Sequence, residues 1–489
     1  MPRAYIRDGA VIDGFRIGEK IHTGGMATVW RATRGDIDQP IVMKIPNIEE
    51  SDDATVIVGF EMEMMILPRL TGVHVPKYYA VGDFARLPYL VMEEIRGHNV
   101  FSLIEKAPLP PTEVASLGRR IAAALVDLHR QNVLHLDIKP SNVMIRDSGE
   151  AAFIDFGLSR HLLLPDLLEE EFQVPMGTGP YIAPEQIMKN RSDRRSDIFS
   201  LGVLFYYLAT NVRPFGLPHA QSQLRRRIWR DPVPPRKLAP DMPPWLQEVI
   251  LKCLEVDPAD RYETAKQLAF DFVNPGQVAL TERAGRMERN SYFHALRKRF
   301  TSRPADDKRF QSRQSHLNLA PIIMAAIDFE PGSDLLGEEL RSYVKRLLAI
   351  SPGVRLACVN VLKLNLLTIN PTFDEEGRSI HVQRLVELKE WARPLGLAPE
   401  RLTFHVLEHM DAAVALIDYA RMNHVDQLLI GARATPTYRR FLGNVSGRVV
   451  AEAPCTVTVV RAPNVGVIDD FTEAAEAGAG QPTTQSNAT

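Results

Sequence analysis

The stretch that most constrains this chain runs from His135 to Asn142 and reads His-Leu-Asp-Ile-Lys-Pro-Ser-Asn. Asp155, the first residue of an Asp-Phe-Gly triplet, follows thirteen residues after Asn142. Short apolar runs flank both segments, so the acids, the lysine and the asparagine belong to short loops between strands. Acidic loops at the ends of apolar strands are where a phosphoryl-transfer site would hold a metal ion and position a nucleophile.

The bulk composition limits the class of protein. A length of 489 residues predicts roughly two to four domains, and the net charge of −2 argues against a surface directed generally at nucleic acid. Cys253, Cys358 and Cys455 have no paired spacing, which fits a reducing compartment and excludes a disulfide framework. No apolar run reaches the ~18–20 residues that a membrane span needs. We therefore expect a cytoplasmic protein with no stable membrane insertion and no specific nucleic-acid partner.

The pattern of apolar residues changes along the chain. Short strand-like runs and one helical stretch rich in Met, Leu and Ile fill residues 10–92, and apolar residues recur at helical spacing from residue 111 onward. Residues 274–317 are rich in Arg and Lys and poor in long apolar runs, so we interpret them as a basic linker. A solvated connector is the simplest role for this linker, and an autoinhibitory segment or one that binds an anionic surface is the alternative.

A different pattern begins near residue 320. Apolar strand-like runs alternate with helical runs, which predicts an α/β domain with a doubly wound parallel sheet at 318–463. The end of the chain, 464–489, is rich in Ala, Gly, Thr and Gln, and we expect a disordered tail there.

The combination of Asp137, Lys139, Asn142 and the triplet at Asp155 resembles the catalytic and metal-binding loops of Ser/Thr protein kinases. The resemblance covers residues 12–273 and implies an α+β bilobal kinase fold, with a small β-rich lobe and a large α-helical lobe. It implies that Asp137 accepts or orients the proton of the substrate hydroxyl and that Lys139 neutralises charge on the transferred phosphoryl group. Asn142 and Asp155 would hold Mg²⁺, with Mn²⁺ as an alternative.

The family's glycine-rich phosphate loop corresponds to the stretch from His22 to Val29. Gly24 and Gly25 remain there, whereas His22 and Ala27 replace two of the family glycines. The resemblance implies that Gly24, Gly25 and Val29 cover the phosphates of ATP. The missing glycines would stiffen the loop or weaken its backbone contact with phosphate.

Lys44 lies in an apolar strand-like run, and in the family it would contact the α and β phosphates. An acid on the following helix would hold it. The family pattern Phe-x-x-Glu gives Glu63, and Glu61 is the competing candidate. A strand-edge lysine that points to water is the alternative role for Lys44.

The stretch from Pro88 to Ile95 matches the segment that joins the two lobes in this family. The resemblance places Met92 at the back of the adenine pocket, and the main chain of Glu93 and Ile95 at the adenine edge. Because main-chain groups make that contact, the side-chain identities are weak support for it.

The catalytic loop departs from the family at Leu136, which replaces the arginine before the catalytic aspartate that normally pairs with a phosphate on the activation loop. The activation loop, between Gly157 and Pro184, offers few hydroxyls and carries an acidic run, Glu169–Glu171. We hypothesise that the loop is held without a phosphate, and that activity is constitutive or set elsewhere in the chain.

The resemblance also implies three structural contacts. Thr178 would hydrogen-bond the catalytic-loop side chains, and Asp197 would brace the backbone of that loop. Glu185 would form an ion pair with Arg261.

The second domain resembles the universal stress protein family over residues 318–463. The matching features are Asp328 at the end of the first strand and the glycine-containing stretch from Gly431 to Ser446. In nucleotide-binding members such a loop wraps the phosphates at a helix N-terminus. Here Ala434 replaces the second glycine and the spacing to Gly443 is shorter. Nucleotide binding and a role as a dimerisation or partner-binding module are both open.

Together these matches predict a Ser/Thr protein kinase that transfers the ATP γ-phosphoryl group to protein hydroxyls, phosphorylates itself, and is regulated by a stress-protein-like domain. Its expected partners are protein substrates and a second copy of the chain. The alternative is a pseudokinase, a nucleotide-binding scaffold that signals by conformation. The residues His22, Ala27 and Leu136 favour that alternative, and the intact catalytic and metal-binding residues argue against it. In a third alternative the stress-protein-like domain carries the activity and the first domain only binds.

Overall fold

The computed structural model describes residues 6–48, 54–172, 174–289, 321–351, 353–364, 373–374, 378–432 and 443–461. The part of the basic linker beyond residue 289 and the tail expected at 464–489 lie outside the described residues.

The first lobe is built on a six-stranded antiparallel sheet with the strand order β1-β2-β3-β4-β6-β5. Its strands are β1 (Val11–Ile12), β2 (Phe15–Thr23), β3 (Ala27–Arg34), β4 (Ile37–Pro46), β5 (Tyr78–Val81) and β6 (Leu90–Glu93). Met43 and Ile45 of β4 are buried, and Lys44 lies between them with Val29 of β3 directly opposite. The edge strand β5 is not evident from the sequence pattern.

Helix α1 (Ala54–Ile66) lies between β4 and β5 in the chain and is buried on nearly every face. A helix that is apolar all round needs cover on more than one side. The sheet covers one side of α1, and residues of the C-terminal domain lie against another, as described below.

The second lobe is mainly helical. Its helices are α2 (Phe101–Ile104), α3 (Pro111–Arg130), α4 (Leu167–Glu171), α5 (Pro184–Ile187), α6 (Arg195–Thr210), α7 (Gln221–Leu224), α8 (Pro235–Leu238), α9 (Pro244–Cys253), α10 (Ala265–Val273) and α11 (Glu282–Gly285). Helix α6 is buried from Ser196 to Thr210 and forms the centre of the lobe. Gly202 allows α9 to approach α6 closely, because a Cβ there would lie only 2.6 Å from the Cβ of Cys253.

Two small sheets in this lobe carry the loops that the sequence singles out. Their strands are β7 (Gly97–Asn99), β8 (Val133–Leu134), β9 (Val143–Arg146), β10 (Ala151–Phe153) and β11 (Arg160–His161), paired in the orders β10-β9-β7 and β11-β8. The loop from His135 to Asn142 joins β8 to β9, and the loop that begins near Asp155 joins β10 to β11. Both loops therefore emerge beside each other.

The C-terminal domain is a five-stranded sheet in the order β14-β13-β12-β15-β16, with every neighbouring pair parallel. Its strands are β12 (Ile322–Ala326), β13 (Arg355–Lys363), β14 (Leu402–His409), β15 (Gln427–Ala432) and β16 (Thr456–Arg461). Its helices are α12 (Asp334–Ile350), α13 (Ile380–Ala392), α14 (Ala412–Met422) and α15 (Asn444–Glu452). The strand order reverses between β12 and β15, where such sheets form ligand crevices. The expected fold class, a bilobal α+β domain followed by a doubly wound α/β domain, is confirmed.

The basic segment after residue 274 is described as far as residue 289, and its described part packs on the helical lobe. Thr281 and Arg283 donate hydrogen bonds to the carboxylate of Glu248, which is only 1% exposed. Val278 and Ala284 are buried. Residues 275–289 therefore contact this lobe through a few side chains, and the role of the linker as a whole stays a prediction.

Within the described ranges, no helix has both the length and the apolar character that a membrane crossing requires.

Candidate active site

A single lysine is shared by two carboxylates between the lobes. Lys44 Nζ on β4 lies 2.6 Å from Glu63 Oε2 on α1 and 2.8 Å from Asp155 Oδ1. Burial alone would lower the pKa of Lys44, but the carboxylates of Asp155 and Glu63 outweigh it and raise that pKa. Lys44 is therefore a fixed cation, and the structure does not place it as a strand-edge residue in water.

Asp155 keeps a side-chain exposure of 40% while it contacts Lys44. Burial would raise the pKa of Asp155, but the adjacent Lys44 holds that pKa at about 2. Its backbone has a φ of +68°, a left-handed conformation that is uncommon outside glycine. Such outliers are found at functional sites, where the surrounding structure enforces them.

The catalytic loop converges on Asp137. Thr178 donates from its backbone N and its Oγ1 to Asp137 Oδ1, at 2.8 and 2.6 Å. Lys139 Nζ lies 2.8 Å from Asp137 Oδ2 and 3.2 Å from Thr178 Oγ1. Asn142 Nδ2 donates to the backbone O of Asp137 at 3.0 Å. The expected contacts of Thr178 are thus present, and Asp137 is held on both carboxylate oxygens.

Asp197, which is fully buried, braces the same loop from α6. Its Oδ2 accepts a hydrogen bond from the backbone N of His135 at 2.9 Å, and its Oδ1 accepts from the backbone N of Leu136 at 2.8 Å. Leu136 has a φ of +59° and a buried side chain. A charged acceptor on two successive amides explains how a non-glycine residue is kept in that conformation.

The residues expected to hold Mg²⁺ fit that ion. Asn142 is oriented because its Nδ2 donates to Asp137, and its amide oxygen, which accepts from Ser141 Oγ at 3.2 Å, keeps a second lone pair for a cation. Asp155 uses Oδ1 for Lys44 and has a partly exposed carboxylate. One carboxylate and one amide oxygen suit an ion that takes its remaining ligands from water and phosphates, rather than an all-protein cage. Within the described residues, no cluster of three or more His, Cys, Asp or Glu side chains offers such a cage.

The glycine-rich loop is the turn between β2 and β3. Gly24 N donates to the backbone O of Ala27 at 2.9 Å, and Asn47 Nδ2 donates to the backbone O of Gly24 at 2.7 Å. Gly25 faces open space, because a Cβ there would meet no atom within 4 Å. Two hydrogen bonds therefore hold the backbone of the loop at Gly24, whereas the loop has free space around Gly25.

Two of the remaining residues expected to contact ATP, Met92 and Glu93, lie at the end of β6, and Ile95 follows in the segment that joins the lobes. Met92 and Ile95 are buried, and Met92 lies opposite Val42 of β4. The side chain of Glu93 forms an ion pair with Arg146, with an Nη1–Oε1 distance of 2.5 Å. The carboxylate of Glu93 is therefore occupied, and its backbone N donates to the backbone O of Lys77 at 2.8 Å.

Residues 15–273 match the family model described as protein kinase domain, and residues 321–461 match the universal stress protein family. The chain belongs to the protein kinase family. The expected enzyme class, a Ser/Thr protein kinase, and its fusion to a universal stress protein family domain are confirmed. We call residues 15–273 the kinase domain and residues 321–461 the stress-protein domain.

Similar proteins are bacterial. Serine/threonine-protein kinase PknL of Mycobacterium tuberculosis is 30% identical over 312 residues, which cover 63% of this kinase and 78% of PknL. Probable serine/threonine-protein kinase PknB of Corynebacterium glutamicum is 28% identical over 317 residues, which cover 62% of this kinase and 47% of PknB. A probable serine/threonine-protein kinase of Clostridium perfringens is 29% identical over 249 residues, 51% of this kinase and 36% of that protein.

The stress-protein domain of this kinase contains a cavity of about 750 Å³ at the point where its strand order reverses. Asp328, Asn360, Gly443 and Ser446 are among its lining residues. The volume is in the range of small-molecule sites. Ala434, which replaces a family glycine, lies outside the described residues.

Several residues that shape the site of the kinase were not singled out from the sequence. His129 Nε2 lies 2.8 Å from Asp197 Oδ2, and Gln186 Nε2 donates to the backbone O of Leu136 at 2.8 Å. Arg146 anchors Glu93. None of them carries a local sequence signal, because each acts through a partner that is distant in the chain.

Proposed function

We propose that this kinase transfers the γ-phosphoryl group of ATP to Ser or Thr hydroxyls of proteins, and that it phosphorylates itself. The observation that supports this most is the assembled pair of contacts at the two loops. Lys44 joins Glu63 to Asp155, and Asp137 is oriented by hydrogen bonds from Thr178 and Lys139. Phosphoryl transfer depends almost entirely on such positioning and on charge stabilisation.

Each residue has a proposed role. Asp137 accepts or orients the substrate hydroxyl proton, and Lys139 neutralises charge on the transferred group. Asn142 and Asp155 hold Mg²⁺, or Mn²⁺ in its place, which when bound supplies positive charge to the phosphate oxygens. The remaining ATP contacts are assigned to Gly24, Gly25, Val29, Lys44, Glu63, Met92, Glu93 and Ile95.

The test uses two variants of the full chain, Asp137→Asn and Lys44→Met. Incorporation of label from γ-labelled ATP into the protein itself and into a generic basic protein is measured with Mg²⁺ and with Mn²⁺. Both variants should lose incorporation, since each removes a group aimed at the reacting atoms. Asp147→Asn and Lys106→Met are matched controls on exposed side chains and should keep it.

The same assay separates the pseudokinase alternative. If this chain were a pseudokinase, the wild-type protein would bind a fluorescent ATP analogue but would incorporate no label. Incorporation that was equal in wild type and both variants would point to an activity outside the kinase domain.

Regulation by the stress-protein domain and homodimerisation belong to the same proposal. Strand β16 is an edge of its sheet and pairs only with β15 among the described strands, so its outer side offers a row of backbone groups to a second copy. Mass measurement by light scattering of the full chain tests for the dimer.

We also propose a cytoplasmic location, because Cys253 and Cys358 are buried free thiols and Cys455 is also free.

A further inference from the structure

The stress-protein domain lies against two elements of the kinase domain, helix α1, which carries Glu63, and the activation loop. Helix α4, within the activation loop, contacts β14 and α14 of the stress-protein domain. Leu167 and Leu168 of α4 are buried. Asp166 caps α4 through its carboxylate and is held by Arg191 at 2.9 Å, so α4 is tied to the kinase domain as well.

The strongest contact across this interface centres on Glu170 of α4. Arg355 Nη1 lies 2.5 Å from Glu170 Oε1, and Tyr419 donates from its hydroxyl to Oε2 at 3.3 Å. His405 Nε2 lies 3.1 Å from Glu170 Oε2, as an ion pair without good hydrogen-bond alignment. Asn423 Nδ2 donates to the backbone O of Glu170 at 3.2 Å. All four partners belong to the stress-protein domain.

The charged groups in this site are balanced and buried. Glu170 is 8% exposed and His405 is 0% exposed. His405 Nδ1 also lies 3.4 Å from Glu171 Oε2, so two carboxylates meet one imidazole and one guanidinium. Removing one member would leave a buried charge without a partner, which is far less favourable than the intact set.

A second contact holds α1 itself. Lys389 of α13 forms an ion pair with Glu61, and its Nζ lies 4.7 Å from the ring centroid of Phe84 and 5.8 Å from that of Phe404. Arg69, just after α1, lies 2.8 Å from Glu400. The stress-protein domain therefore contacts the outer side of the helix whose inner side presents Glu63 to Lys44.

The contacts from the stress-protein domain take the place of the arginine–phosphate contact that Leu136 cannot make. In kinases that depend on loop phosphorylation, an arginine before the catalytic aspartate binds the loop phosphate. Here that position is a buried leucine, and the loop carries its negative charge in side chains such as Glu170. The basic groups that meet this charge come from the other domain.

We propose that the stress-protein domain is a docking partner in cis, which binds the Glu170 carboxylate through Arg355, His405 and Tyr419 and so holds the activation loop and α1 in the catalytic arrangement without a phosphate. This inference rests on the proposed kinase function and names how the second domain regulates it. Arg355 and His405 are positioning residues, because they act on the site through α4.

The test uses full-length Arg355→Met and Lys389→Glu, with Arg421→Met and Lys345→Glu as matched controls on the exposed surface of the same domain. Deuterium uptake of residues 54–66 and 167–171 reports docking. The kcat and the KM for ATP and for a peptide substrate report catalysis. We expect faster uptake and a kcat lowered about tenfold, within the 5–150-fold range of typical coupling energies. The KM for ATP should change far less than kcat.

Charge reversal provides the decisive arm. The pair Lys389→Glu with Glu61→Lys should recover most of the kcat that Lys389→Glu alone loses, because the ion pair is restored with opposite polarity. The Lys389 side chain is 31% exposed, so variants at this position should fold. The charge-reversal experiment therefore still tests the inference if Arg355→Met does not fold.

Two results would overturn the inference. One is unchanged deuterium uptake in both variants, which would mean that the contacts do not hold these segments. The other is faster uptake with an unchanged or raised kcat, which would mean that docking is irrelevant or inhibitory. An inactive wild-type protein would instead contradict the proposed function, and the uptake data would still decide on docking.

Discussion

Glu61 and Glu63 lie two residues apart on helix α1, yet their carboxylates bind cations from different domains. Glu63 Oε2 is 2.6 Å from Lys44 of the kinase domain, whereas Glu61 pairs with Lys389 of the stress-protein domain. Residues two positions apart on a helix point about 200° apart in azimuth at 3.6 residues per turn. The helix therefore connects the active site with the domain interface.

The two glutamates should differ in how their loss affects catalysis. Glu63→Gln should lower kcat by about 10²-fold, because Lys44 loses the anion that orients it and small misplacements are costly. Glu61→Gln should lower kcat by about tenfold or less and should speed deuterium uptake of α1. Steady-state kinetics on both purified variants checks this. Equal losses would show that the two carboxylates do not have separate tasks.

Much of this site was accessible from the sequence because its residues sit in short loop motifs between strands. The resemblance of these loops to those of Ser/Thr protein kinases identified Asp137, Asn142 and Asp155 and implied the bilobal fold, and the alternation of strand-like and helix-like runs predicted the C-terminal α/β domain. The partners of Glu170 were not accessible. Arg355 and His405 lie in strands 185 and more residues away, where a single polar residue gives no signal of its own. The sequence showed the acidic run itself, but the residues that bind it are determined by how the two domains pack.

The docking of α4 should weaken at alkaline pH. Burial would lower the pKa of His405, but Glu170 and Glu171 outweigh it and raise that pKa to about 9 from an ordinary value of 6.5. The imidazolium therefore stabilises the docked state fully below about pH 6.5, and this stabilisation disappears as the pH rises through about 9. The difference is on the order of 3 kcal/mol at most.

Two other groups that face His405, Glu170 and Tyr419, have pKa values far from that window. Burial would raise the pKa of Glu170, but His405 and Arg355 hold it at about 2. Burial also raises the pKa of Tyr419 well above its usual value. Hydrogen exchange, corrected for intrinsic rates, measures the free energy of opening for residues 167–171. This free energy should fall between pH 6.5 and 9.5 in the wild type and should stay nearly constant in His405→Gln. Parallel curves for the two proteins would contradict the role of His405.

Removal of one partner from the buried pair of Glu185 and Arg261 should strongly destabilise the helical lobe. Arg261 Nη1 lies 2.7 Å from Glu185 Oε1, and both side chains are 0% exposed. Arg261→Met should lower the free energy of unfolding by about 3–5 kcal/mol, because it leaves the carboxylate buried without its cation. Urea denaturation measures this. Arg86→Met, on an exposed pair with Asp13, is the control and should cost about 1 kcal/mol or less. A loss as small as that of the control would mean that water replaces the guanidinium.

Asp197 should matter for catalysis although it is remote from any substrate. Its two oxygens accept from the amides of His135 and Leu136, so Asp197→Asn would turn an NH₂ group toward one of these donors. A buried donor left without an acceptor costs about 1–3 kcal/mol. The strained φ of Leu136 would then lose part of its support, and Asp137 would shift with the loop. We expect kcat to fall by about 10²-fold with a smaller change in the KM for ATP, since the contacts of Lys44 are untouched.

Asp260→Asn, on an exposed side chain, is the matched control. A kcat equal to that of the control would show that the loop keeps its conformation without the brace, and that Gln186, which binds the backbone O of Leu136, is sufficient.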